Sequence, residues 1–326
     1  MGFLERWLGS SSGAGSAQAD PLIDRLVAAT DRRLSYVKGY REALRGPVLA
    51  ARDRMREAVA RIPGPVEAGA GSWSRDDTVR SLFAKAADVP LAFSNDPGTR
   101  AWFEAHPGSD CVGMLALEKR ERRVLASALQ GDTVQAEVAR TTVSFTEPQI
   151  LAPGGDEATV RAELAMRALE YLALRALERI GAMRAEKHEL EKERALLQAQ
   201  LRLAESKGAG FAGLAGGAAP RAEIEKELER TVSDLEAAAS RTLLPGLLEE
   251  MRRALERSDE YLTIEASTLA IDSMNFVVDA ASPQAIVPKV AILKLVNRGP
   301  FAVLLARFPR AELRTDNRLA EAEKLL

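Results

Sequence analysis

Residues 156–207 read DEATVRAELAMRALEYLALRALERIGAMRAEKHELEKERALLQAQLRLAESK, a run in which Gly181 is the one weak helix former. Alternating steps of three and four give Met166, Leu169, Ala173, Ala176, Ile180, Met183, Lys187, Leu190, Arg194, Leu197, Leu201 and Ala204. All but Lys187 and Arg194 are apolar, which is the seam of a coiled coil. Leu164, Leu172, Leu174 and Leu177 widen the apolar face of the first half, so that half should lie against a body. The second half is narrow and flanked by charge, as in an arm surrounded by water.

GAGFAGLAGGAA at 208–219 ends the helix, and Pro220-Arg221 opens another. That second helix carries Ile224, Leu228, Val232, Leu235 and Ala239 on one face. Pro245-Gly246 breaks it before GLLEEMRRALER. Two apolar-faced helices around a loop of about a dozen residues fold back as an antiparallel hairpin. In that register Leu197 meets Leu228, Leu201 meets Ile224, and Leu190 meets Leu235.

Upstream, Asp20-Pro21 combines a side-chain acceptor with a proline, a helix start. Ile23, Leu26, Val27, Leu34, Val37 and Leu44 follow at helical spacing, and Gly46-Pro47 predicts a break or kink. Ser74 with Asp77 resembles a capping box, and Asp96-Pro97 begins a helix that ends at His106-Pro107-Gly108. From Cys111 the texture changes. Alternation over 111–147 predicts three or four antiparallel strands joined by tight turns, with EKRERR as a charged break. LALEKRERRVLASAL is also rich in helix formers, so a helix there is the competing reading. The last seventy residues hold further strand-like runs: YLTIEASTLAID, MNFVVD, VPKVAILKLV and FAVLLARF. NRLAEAEKLL closes the chain as a helical turn or two.

Composition narrows the function. The 326 residues are 46% hydrophobic and 28% charged with a net charge of -2, which excludes a surface built throughout for nucleic acid or anionic membrane. Ala numbers 56 while aromatics are 5%, favouring long helices over a sandwich or barrel. One Cys and two His leave no disulfide framework and almost no multi-ligand zinc or haem site, so neither metal nor cofactor is expected. Glu5 and Arg6 interrupt any apolar leader, and no window reaches the roughly 18 apolar residues of a membrane span. Together with a lone Cys111 this predicts a cytoplasmic protein.

Four residues stand out as partner-contact candidates. Phe3 and Trp7 lie on one side of a short N-terminal helix, a small anchor if it does not fray or tuck onto the body. Phe211 and Leu214 sit in the Gly-rich tip and form a small apolar contact there. Gly208, Gly210 and Gly213 formally make GxGxxG, but no strand precedes them and Gly216-Gly217 delays the next helix, so a flexible tip is the better reading. Lys187 and Arg194 cross the seam on aliphatic stems, their charges reaching Glu229 or Asp234. His188 with Glu191 reads as a solvated helix face. His106, Asp110 and Cys111 lack the orienting group and oxyanion donors of a Cys-His nucleophile. Arg120, Arg122 and Arg123, offset by Glu118 and Glu121, read as solvated salt bridges, as do Arg307 and Arg310.

The sequence therefore predicts a helix-rich α+β chain, with small antiparallel β units and a long antiparallel coiled-coil hairpin. Its segments run 1–19 (flexible), 20–106 (helical), 107–155 (β), 156–258 (the hairpin, tip at 208–219) and 259–326 (β-containing). The expected function is a non-catalytic interaction or scaffold protein whose hairpin reaches an unnamed protein partner or a second copy. One alternative is an enzyme with a carboxylate and arginine site in a cleft between the β units. A second is a peripheral membrane adaptor. No nucleic-acid partner is expected, and a membrane surface is the lesser expectation.

Overall fold

The computed structural model describes residues 15–130, 133–206 and 221–314. The chain is mixed α+β and rich in helix. It divides into two compact units, each drawn from separated stretches of sequence.

The first unit comprises Arg52–Leu169 together with the chain from Ser258 onward. At its centre is a six-stranded sheet of order β3-β2-β6-β5-β4, with β1 pairing beside β6. The strands are β1 (Val66–Glu67), β2 (Cys111–Gln130), β3 (Thr133–Gly154), β4 (Leu262–Ala266), β5 (Ala291–Leu295) and β6 (Phe301–Phe308). β6 is FAVLLARF, uncharged through its first six residues and buried at Ala302–Ala306. A run without alternation has both faces covered, so its main chain must find partners on both edges. One edge pairs antiparallel with β2 along its whole length, from Phe301 opposite Glu118 to Phe308 opposite Cys111. The other edge is shared: β5 takes Phe301–Val303, and β1 runs parallel to Ala306 and Arg307.

Between those two, the Leu305 amide donates to the Pro63 carbonyl at 2.7 Å, and the Ala68 amide donates to the Arg307 carbonyl at 2.8 Å. Gly64 lies against this crossing with φ +114, and a Cβ there would overlap the Leu305 carbonyl oxygen. Glycine is required on both counts. Under one face of the sheet lie α3 (Asp77–Leu82), α4 (Asp88–Asn95) and α5 (Pro97–Ala105). Phe93 stacks on Phe308 with ring centroids 4.7 Å apart, and Phe103 meets the same ring edge-on. The alternate residues Val112, Met114, Val303 and Leu305 are buried on the opposite face.

The second unit comprises the described chain up to Ala51 and Glu170–Arg257. It contains α1 (Gly15–Thr30), a 3-10 turn at Arg32–Tyr36, the start of α2 (Tyr40–Ala60), most of α6 (Glu157–Ser206), α7 (Arg221–Arg241) and α8 (Leu244–Glu256). The Thr30 hydroxyl donates to the Leu26 and Ala173 carbonyls, which ties α1 to α6. Arg184 on α6 donates to Asp31 at 2.7 Å, and Arg179 donates to the buried Glu250 of α8 at 2.9 Å. The wide face expected for the first half of α6 is present, with Leu172, Ala173, Ala176 and Ile180 fully buried, although Leu174 points to solvent. α6 and α7 carry the antiparallel hairpin. The contact between Glu186 and Arg241, 3.0 Å, falls within two residues of the register inferred from the leucines. On α7 the buried positions are Ile224, Thr231, Leu235 and Ala238. Thr231 and Ala238 therefore replace the expected Val232 and Ala239, a shift of one residue around the helix.

Several local expectations are corrected. The stretch 111–147 is not three or four strands. It belongs to two long ones, and EKRERR lies inside β2 rather than breaking it. The alternating side chains there face water on both sides of a ribbon, so charge does not end the strand. MNFVVD forms isolated bridges, not a strand. The stretches 107–155 and 259–326 contribute to one sheet rather than forming separate β units. α1 begins at Gly15 and contains Pro21, ahead of the expected start at Asp20. α2 runs unbroken through Gly46-Pro47. Gly46 removes one of proline's conflicts, the clash of its ring with a preceding Cβ. The break comes earlier, where Asp31 caps the 3-10 turn and Gly39 takes φ +79. Asp76, not Ser74, caps α3, whereas Asp96-Pro97 starts α5 as expected.

Gly64→Ala is expected to destabilise the first unit by about 2–3 kcal/mol, through strain at positive φ and the displaced Leu305 carbonyl. Gly181 sits in the interior of α6 with no atom near a new Cβ, so Gly181→Ala should stabilise by about 0.5–1 kcal/mol. Urea unfolding midpoints check both signs.

Candidate functional site

Phe3, Trp7, Phe211 and Leu214, and the tip 208–219, lie outside the described residues. Among the described residues the candidates are the helical arm and two concavities, one in each unit.

The arm is thin. After Ile180, Leu197 is the one side chain of α6 that is fully buried among the described residues, while Met183, Leu190 and Leu201 are half-covered. Leu196 and Leu203 are 60% and 49% exposed. Seven residues apart, they occupy one face of the helix, more than a right angle from the seam defined by Leu190, Leu197 and Leu201. Lys187 pairs with Glu191 of its own helix at 3.6 Å and does not cross to Glu229 or Asp234. His188 also faces Glu191, at 3.7 Å on the exposed side.

A cleft of 630 Å³ opens in the first unit, between the loop Pro65–Asp76 and the segment Pro309–Glu312. It holds the carboxylates Glu67, Asp76 and Glu312 and the guanidinium of Arg75. Each has structural work. The Glu312 carboxylate accepts the Ala70 amide at 2.6 Å, and any Cβ on Gly69 would overlap it. Asp76 accepts the Thr78 and Val79 amides at the start of α3. Arg75 donates to the Gly71 carbonyl at 3.1 Å, and Glu67 pairs with Arg307 at 3.5 Å. The cleft is thus walled by groups that hold a glycine-containing loop in place. Nothing in AGAGS announces this, because Glu312 lies far along the chain from it.

The second unit has a pocket of 310 Å³ lined by Asp24, Val27, Ala28, Arg32, Ser35, Tyr36 and Tyr40. Arg41 donates twice to Asp24 and holds that carboxyl below its usual range. The Tyr40 hydroxyl donates to Asp24 at 2.8 Å, which raises the phenol.

The remaining sequence candidates are dispersed. His106 caps the end of α5, bonded to the Trp102 carbonyl at 3.0 Å and stacked on that indole. Cys111 is buried in the core of the sheet, and burial pushes its thiol up to about 12. No hydrogen bond joins it to His106 among the described residues. Arg310 donates to the Phe103 carbonyl at 2.7 Å. No group of three or more His, Cys, Asp or Glu among the described residues is placed to hold a metal ion. No described helix is long and apolar enough to cross a membrane. Comparison with known proteins finds no matching family model, no similar curated protein and no similar solved structure.

Cys111 should react with a thiol reagent at pH 8 at least about 100-fold more slowly in the native chain than in urea, because a thiol held near 12 offers little thiolate. Asp31 gives a pH test. Arg33, then Arg184, hold its carboxyl well below the usual carboxylate range in the folded chain. The stability it contributes is therefore present above the unfolded value near 3.8 and is lost as pH falls further towards the folded value. Asp31→Asn should lower the unfolding temperature at pH 7, and the difference from wild type should shrink below pH 4.

Proposed function

We propose that this chain is a non-catalytic interaction protein and that the α6–α7 hairpin is its contact arm, with a second copy of the chain as the partner. The observation that carries the reading is the arm itself. From Gly181 to Ala204 it fully buries the side chain of Leu197 alone and leaves Leu196 and Leu203 facing outward. A two-helix layer has no interior of its own, and a heptad-spaced pair of leucines opposite the seam suits a further helix pair. Close to the stripe, Lys192 pairs with Glu189 of its own helix at 2.8 Å. Phe211 and Leu214, in the connection between the two helices, extend the contact on sequence grounds. A chain with one cysteine, kept as a buried thiol, suits the cytoplasm.

Light scattering at about 50 μM is expected to give the mass of a dimer, and Leu196→Glu combined with Leu203→Glu a monomer of unchanged helicity. A monomeric mass for the wild-type chain would overturn the reading.

A further inference from the structure

β2 and β3 continue beyond the sheet as a two-stranded ribbon, because β6 stops accompanying β2 at Glu118. The two edges of the ribbon are treated differently. The β3 edge is sealed: the Val143 amide donates to the Asn275 carbonyl and the Val277 amide to the Thr141 carbonyl, both at 2.8 Å. Arg140 reinforces that seal by pairing with Asp272 at 2.9 Å and lying over the Phe276 ring.

The β2 edge is open. The Lys119 amide points to that side, where it donates to the Pro300 carbonyl at 2.9 Å, and there the neighbouring chain turns away at Gly299-Pro300. Pairing with β3 keeps one register from Glu118 to Ala126, so main-chain groups alternate between the two sides. The amides and carbonyls of Glu121, Arg123 and Leu125 therefore face outward, and no hydrogen bond reaches them among the described residues.

Charge along this edge is also resolved. Glu118 pairs with Arg120 at 2.7 Å and Lys119 with Glu121 at 2.7 Å. Arg122 and Arg123 remain exposed, with no ion pair among the described residues. Successive residues of a strand point to opposite faces, so one guanidinium stands on each side of the ribbon. Leu125 follows on the Arg123 face, 69% exposed.

We propose that the open edge of β2 takes up an extended acidic peptide segment as an added strand. The main chain of Glu121, Arg123 and Leu125 supplies the ladder. Two consecutive carboxylates of the peptide meet Arg122 and Arg123 on opposite faces, and an apolar residue two positions from the second acid covers Leu125. Arginines on a strand edge also discourage aggregation, and guarding alone requires no peptide to bind. The two roles differ in what the edge does with a complementary strand.

The probe is a fluorescein-labelled peptide, Thr-Val-Thr-Glu-Glu-Thr-Val, titrated with the full chain and followed by fluorescence anisotropy. Saturable binding below about 1 mM is expected, weakened at least about tenfold by Arg122→Glu with Arg123→Glu. Methylating alternate peptide nitrogens, which removes ladder donors but no charge, should weaken it by a similar factor. Circular dichroism and the urea midpoint verify that the double variant is folded. Three results would each overturn the proposal: no binding to about 1 mM, equal binding by the methylated peptide, or tighter binding of single-stranded DNA of equal charge. None of them bears on the dimer, whose arm lies in the other unit.

Discussion

A strand covered on both faces cannot leave its main chain to water, and β6 is such a strand. Its eight residues need partners along both edges, and the chain meets that need from three separate stretches. β2 runs along one side, while β5, the Pro63 carbonyl and β1 divide the other. Gly64 is fixed by the same demand, since the loop must pass directly over the Leu305 carbonyl. The cleft at Pro65–Asp76 follows from it as well, because that loop is where the chain leaves β1 after serving β6.

The second unit solves a different problem. Its helices are held by carboxylates that each draw an arginine from elsewhere in the sequence: Asp31, already paired with the nearby Arg33, takes Arg184, and Glu250 takes Arg179. Asp31 and Glu250 are nearly covered while their arginine partners stay wetter, so those partners supply the compensation that water does not. Beyond these ties the hairpin thins to a single seam. Stability there rests on a narrow row of covered and half-covered residues, while the Leu196 and Leu203 side chains are largely exposed.

The long helix was legible because its signal is local: a three-and-four repeat and no breaker from Glu157 to Ser206. Asp96-Pro97 was legible for the same reason, since both residues act within one turn. The ribbon was harder. EKRERR reads as a break when a strand is expected to bury one face, yet the side chains of residues 120–123 are exposed on both faces of the ribbon and charge is accommodated on each. Pro47 misled in the opposite sense: the helix runs on from Tyr40 to Ala60 without the break that a proline's missing N–H suggests. The lining of the cleft gave no sequence signal at all. Glu312 and Ala70 meet through a single hydrogen bond between distant segments.

The sequence alone determined the helix-rich α+β class, the long helix of the hairpin, and the strand character of the central FAVLLARF run. These follow from periodicity and capping, which operate over one or two turns of chain. Which strands neighbour one another, that both β stretches enter one sheet, and that one edge of the ribbon is sealed while the other stays open were decided by tertiary structure. Pairing between segments so far apart is set by where buried main-chain groups find partners, and that information is not carried by any one stretch of residues.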